Sequence, residues 1–353
     1  MTTFFIAGEQ RSGTTLLSSV LGKHPEISID VNSVGFRIVT CFGNYKEVLP
    51  YNLDHSPQEI QAWLIKNDYK GRLAELIDPE EVVKYGGARK VLQRGIQKRL
   101  EKEGKSVFGD KVPEMEHYAA ELLMLIPNAK FIHLVRDGRA VAQSKWSRAK
   151  KNIKVAAQEW VDGNIIGLSN QYLVGEHQYK IVRYEDLLLN PETTCKEICT
   201  FLGVEFNANM VAENVLQTKE NDYVKSTFNT SKIDAFKQQL TKGQLQQIEE
   251  IQGVLLKKFG YELIVNKSLQ YKPLSIFTKL RLRQAEHLKQ LFIGKREGMR
   301  EHQLVEVNIP FKTRLRNYFF MSAYDVLNKK LFRRIFRKRW IKNVHMNKKS
   351  FQN

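Results

Sequence analysis

Thr3-Phe4-Phe5-Ile6-Ala7-Gly8-Glu9-Gln10-Arg11-Ser12-Gly13-Thr14-Thr15-Leu16-Leu17 is the stretch that decides the fold. Thr3–Ala7 is short, apolar and β-prone, which predicts a buried strand. Gly8 to Gly13 is a polar loop. Leu16, Leu17, Val20 and Leu21 then recur at helical spacing, so a helix runs from Thr14 to Leu21. Gly22 and Pro25 end it, and Ile27–Val31 returns to extended chain. Strand, glycine loop and helix in that order are the opening unit of an α/β fold.

The loop has the Gly-x-x-x-x-Gly spacing of a P-loop. Glycines let the backbone curl until successive N–H groups face one anion, and the helix N-terminus adds its positive end. Thr14 and Thr15 supply hydroxyls at once. A nucleotidase would carry Lys-Ser or Lys-Thr at that point; here the cation is Arg11, inside the loop. The same glycines would also serve a plain tight bend, so the loop alone leaves both readings open.

Working outward, Ser106–Gly109 reads as a strand entering Asp110-Lys111-Val112-Pro113, and Glu116–Ile126 as a helix. Lys130–Val135 is a clear buried strand, followed by a helix through about Arg148. Val155–Val174, Tyr179–Val182 and Glu192–Leu202 continue the alternation as helix, strand and helix. The pattern predicts a P-loop-like α/β three-layer sandwich with a central parallel sheet. Residues 36–104 read as a helical insertion with no chemistry of their own. Arg136 leaves the carboxyl end of a buried strand, where α/β folds place ligands. Ser144 lies about two turns into the next helix and Arg148 one turn further, within reach of the same anion.

These segments resemble the PAPS-dependent sulfotransferase family, nearest its tyrosylprotein and bacterial carbohydrate branches. Gly8 to Leu17 is similar to the family's 5′-phosphosulfate loop, with Gln10 in place of a proline. Lys130 to Ser144 is similar to its 3′-phosphate segment. Tyr184-Glu185-Asp186-Leu187 with Asn190-Pro191, then Ser231-Lys232 and Phe259-Gly260-Tyr261, resemble later parts of the same domain, so the likeness spans about residues 3 to 264.

The resemblance implies that 3′-phosphoadenosine 5′-phosphosulfate (PAPS) is the co-substrate, with no metal required. It implies Arg11, Ser12, Gly13, Thr14 and Thr15 on the phosphosulfate, and Arg136, Ser144 and Arg148 on the 3′-phosphate. Tyr184, Ser231 and Lys232 are expected to complete the cofactor site. Arg11 and Lys111 are the cations expected at the departing oxygen, and Asp30 is the candidate base, with Glu114 and His117 as alternatives. The expected acceptor is a carbohydrate, lipid or small-molecule hydroxyl in preference to a peptide tyrosine. A P-loop nucleotide kinase and a non-catalytic membrane-docking protein are the rival readings.

Composition adds a second division. Of a net charge of +18, the span Val265–Asn353 carries +17, with 22 Lys+Arg against 5 Asp+Glu. This places a boundary between a catalytic domain, 1–264, and a basic, mainly helical C-terminal extension, 265–353. Within it Val326–Ile341 alternates apolar and cationic residues at helical spacing. Such a helix suits an anionic membrane surface, or packing against the first domain, better than nucleic acid, for which no binding motif accompanies the charge. Three cysteines do not make a disulfide framework. Only Met1 and Thr2 precede the first strand, so the expectation is a chain without a leader, cytoplasmic and at most peripheral at a membrane.

Overall fold

The computed structural model describes residues 1–31, 88–111, 114–212, 228–266, 272–275, 277–279, 281–285, 295–300 and 303–308. Five strands make one sheet: β1 (Thr2–Ala7), β2 (Ile27–Val31), β3 (Val107–Lys111), β4 (Lys130–Val135) and β5 (Tyr179–Arg183). Their order is β2-β3-β1-β4-β5, and every neighbouring pair is parallel. β1 is therefore central, with β3 on one side and β4 on the other. In a parallel sheet the reversal of strand order at such a position opens a crevice at the carboxyl ends.

The helices that follow are α1 (Thr14–Leu21), α2 (Ala88–Glu103), α3 (Ala119–Leu125), α4 (Gly138–Ala149) and α5 (Ile153–Val174). Next come α6 (Tyr184–Leu189), α7 (Pro191–Leu202), α8 (Ala235–Gln239) and α9 (Lys242–Lys258). Alternate residues of β1 face opposite sides of the sheet, and both sides are apolar. Phe4 and Ile6 join Leu17, Leu21, Ile132, Leu134, Leu187 and Ile198 in one core. On the other side Phe5 meets Phe131, which stacks on Tyr179, with ring centroids 5.4 and 5.5 Å apart. Each such side chain contributes about 1.5–3 kcal/mol by leaving water.

The chain divides into two compact units. The first comprises Met1–Val141, Glu159–Thr218 and Val224–Gln239 and holds the whole five-stranded sheet; the second comprises Ala142–Gln158, Lys219–Tyr223 and Leu240–Asn353. This partition differs from the break expected at 265. Within the second unit the buried Glu249 of α9 accepts the backbone N–H groups of Ile264, Val265 and Asn266 at 2.7, 3.0 and 2.9 Å. The chain is tied to α9 at the very residues where its composition changes.

One sequence expectation is corrected. The strand expected to stop at Gly109 continues through Lys111, because β3 lies between β2 and β1 and is paired on both sides along its length. Of the extension, the described residues include helix at 277–279 and 281–285 and an antiparallel pair, β6 (Lys295–Arg300) with β7 (Gln303–Asn308). Most of the 36–104 insertion and the Val326–Ile341 segment lie outside the described residues. Among the described residues no helix is long and apolar enough to cross a membrane.

Candidate functional site

β1 ends at Ala7, α1 starts at Thr14, and the six residues between close on themselves where the Ser12 N–H donates to the Glu9 carbonyl at 3.1 Å. Gly13 has φ +95, and a Cβ there would stand 2.4 Å from the Tyr184 ring. A Cβ on Gly8, at φ +134, would stand 2.5 Å from the Leu134 carbonyl oxygen. Arg11 also takes a left-handed backbone, φ 74, without being glycine. Such a residue costs about 1–2 kcal/mol and persists where the surroundings over-determine it. No side chain caps α1 and its first turn holds no acid, so its leading N–H groups keep their positive end toward the loop. Arg11 and Thr15 are exposed, whereas Ser12 and Thr14 are buried.

Lys111 closes β3 beside Ile6 of β1 and is buried, so a cation sits at the same sheet edge as the loop. Beyond it, the Glu114 N–H donates to the Gly8 carbonyl at 3.2 Å, with Glu114 itself at φ 65. Glu114 and His117 are both half-buried on this turn.

Arg136 follows β4 and joins three parts of the chain. Its Nη1 donates to the Arg11 carbonyl at 3.3 Å and its Nη2 to the Lys232 carbonyl at 3.1 Å. Its guanidinium lies 4.6 Å over the Tyr184 ring, a cation–π contact. Nε is buried and has no hydrogen-bond partner among the described residues. Tyr184 starts α6 directly after β5, and burial raises the pKa of its phenol despite the opposing charge of Arg136. Ser231, next to Lys232, is held by Asn229, whose side-chain oxygen accepts from the Ser231 N–H and Oγ at 3.0 and 2.6 Å.

Around this corner stand residues that sequence reasoning missed. The Trp160 indole donates to the Arg136 carbonyl at 2.9 Å. The Glu185 carboxylate accepts the Asp137 N–H at 3.0 Å, and Asp137 receives a two-point contact from Arg139 at 3.0 and 2.7 Å. Bidentate pairs of this kind fix direction as well as charge. Glu185 was legible as part of Tyr-Glu-Asp-Leu. Trp160 had no local signal at all.

The structure thus gathers the Gly8–Thr15 loop, Lys111, Arg136, Tyr184 and Lys232 within the first unit. Ser144 and Arg148 are part-exposed and exposed on α4, in the stretch that belongs to the second unit. Asp30 does not present itself as a base. It is 2% exposed in β2 and bound to Arg99 at 3.1 Å, and Arg99 also holds Ser28 Oγ and the Ile29 carbonyl. A carboxylate so enclosed is a structural ion that fastens α2 to the sheet edge.

The residues fit a nucleotide with anions at both ends. The loop's two glycines run where a Cβ would clash, and Arg136 keeps a buried Nε–H that has no hydrogen-bond partner among the described residues.

The model of the "Sulfotransferase family" matches residues 3–208. A protein-tyrosine sulfotransferase of Drosophila melanogaster is 28% identical over 230 residues, 63% of this chain and 42% of its own length. Protein-tyrosine sulfotransferase 2 of Gallus gallus is 26% identical over 285 residues, 77% of this chain and 70% of its own. The solved sulfotransferase domain of the Synechococcus PCC 7002 olefin synthase aligns with 75% of this chain and 96% of its own, at 24% identity and a TM-score of 0.49. Against the first of these relatives the chain spans less than half the curated length.

Proposed function

The chain belongs to the sulfotransferase family, and we propose that it carries the sulfuryl group of PAPS to an acceptor hydroxyl. One observation supports this reading above the others. Arg136, at the end of β4, donates to the carbonyl of Arg11 within the glycine loop, so two anion-binding corners adjoin at one sheet edge. A single nucleotide with a phosphosulfate at one end and a 3′-phosphate at the other is the ligand that such adjacency serves. Sulfuryl transfer is an in-line displacement, so positioning and charge stabilisation carry most of the catalysis. Loop amides with Ser12, Thr14 and Thr15 hold the phosphosulfate. Arg11 and Lys111 offset the charge growing on the departing oxygen. Arg136 takes the 3′-phosphate with Tyr184, Ser231 and Lys232 about it, and the sequence likeness adds Ser144 and Arg148.

The test is calorimetric titration with 3′-phosphoadenosine 5′-phosphate (PAP) without magnesium, followed by labelled-sulfur transfer from PAPS. Micromolar or tighter binding is expected. A kinase would need magnesium and turn over ATP, and a docking protein would bind no nucleotide, so failure to bind PAP removes the proposal. The transfer assay offers sugar, lipid and small-alcohol hydroxyls, the class read from the sequence, beside a tyrosine peptide, the class in the names of the relatives.

A further inference from the structure

Two carboxylic acids lie beneath a loop that is built to hold an anion. Glu9 is inside the loop, 3% exposed, and its Oε1 accepts the Gln10 N–H at 2.8 Å. Glu116, on the short 3-10 turn Met115–Tyr118, is 1% exposed, and its Oε2 accepts the Gly8 N–H at 2.9 Å. Its Oε1 is buried with no hydrogen-bond partner among the described residues. Both acids converge over Gly163 of α5. A Cβ at that glycine would be 2.9 Å from Glu116 Oε1 and 3.5 Å from Glu9 Oε2. Asn170, two turns along α5, donates to the Glu116 carbonyl at 2.8 Å and fixes the turn from below.

We propose that Glu116 is a positioning residue for the anion loop: a proton shared between its carboxyl and that of Glu9 holds Gly8 in place, and losing that proton to solvent weakens the grip on the nucleotide. An ionised Oε1 in that enclosure would be an unpaired buried charge beside another carboxylate. A protonated Oε1 becomes a donor with Glu9 as the acceptor at hand. Two negative charges under the loop would also oppose the anion above it.

The surroundings push the same way. Glu116 is driven up to about 8, by burial first and then by the charge of Glu9, with Glu114 adding a little. From β5, Tyr179 faces the same region, and burial keeps its phenol neutral. Its hydroxyl meets His133 Nδ1 of β4 at 2.9 Å, and burial lowers that imidazole to about 4, so it too is neutral near pH 7.

The inference rests on the loop being the nucleotide site, and its test has an arm that does not. An acid raised in the folded state gives stability that is present in full below the unfolded pKa and is lost as pH rises through the folded one. The unfolding midpoint of the wild type should therefore fall between about pH 4.5 and 8 relative to Glu116→Gln, whose amide cannot ionise. PAP affinity of the wild type should weaken above pH 8, by up to about tenfold per pH unit, and Glu116→Gln should flatten that limb. Glu9→Gln, which removes the neighbouring charge but leaves the burial, should move the limb to lower pH and shrink the stability loss above pH 4.5; it serves if Glu116→Gln does not fold, and a limb that stays in place or moves up overturns the pairing. Parallel melting curves for wild type and Glu116→Gln overturn the shared proton. A stability slope with a PAP affinity that ignores pH overturns the coupling. A stability slope with no PAP binding at any pH keeps the proton pair and rejects the nucleotide reading above.

Discussion

The glycine loop and the Arg136 corner, the two proposed anion sites, lie side by side but are built in opposite ways. The loop is local. Its shape comes from six consecutive residues, two glycines with positive φ and one strained arginine, and the donors proposed for it are mainly backbone groups. The Arg136 corner is assembled from a distance. Its single cation is fixed by Tyr184, Trp160, Lys232 and Arg11, which stand 24 or more residues away along the chain. A cradle made of backbone is hard to weaken through one side chain, whereas a cradle made of one side chain depends on that group and on each support.

Arg136→Ala should therefore have the largest effect. It removes the charge and also the link between the loop and the 229–232 turn. PAP affinity should fall by about 2–4 kcal/mol, a loss of about 30- to 1000-fold, by calorimetry at pH 7. An unchanged affinity would show that the corner is a structural clasp only.

Gly13→Ala attacks the loop at the point where it touches the other cradle. The new methyl needs a left-handed backbone and the space now filled by the Tyr184 ring. Strain and overpacking together cost about 1–3 kcal/mol. Because Tyr184 lies under Arg136, the substitution should weaken PAP by about 5- to 100-fold, with a lower unfolding midpoint. If affinity holds while the midpoint falls, the ring is packing and not part of the nucleotide floor.

The same contrast governs what the sequence made legible. Strand–loop–helix order, apolar runs and the two motif ends were readable because each is carried by neighbouring residues. Phe4 and Ile6 alternating with Phe5 in β1 are enough to call for a sheet covered on both faces. Asp30 shows where such reading fails. The family resemblance puts it forward as a base, but the guanidinium that claims it sits on α2, about 70 residues on. The strand before Lys111 reads as stopping at Gly109 because nothing local reveals that β3 has neighbours on both sides. Glu9 and Glu116 are 107 positions apart, and their meeting over Gly163 follows only from the sheet order.

The sharpest small test is Trp160→Phe, because it alters a support of the Arg136 backbone and leaves every side chain proposed to meet the nucleotide in place. The indole N–H of this buried residue donates to the Arg136 carbonyl, and phenylalanine keeps most of the ring but loses the donor. An orphaned carbonyl and a slightly underfilled site cost about 1 kcal/mol, or about fivefold in PAP affinity. Stability alone would also fall, so the decisive measurement is the double mutant with Arg136→Ala. If Trp160 acts through Arg136, its removal should cost nothing more in affinity once the guanidinium is gone. Additive losses would mean that the indole supports the site by another route, and the corner would then be less dependent on remote contacts than its hydrogen bonds imply.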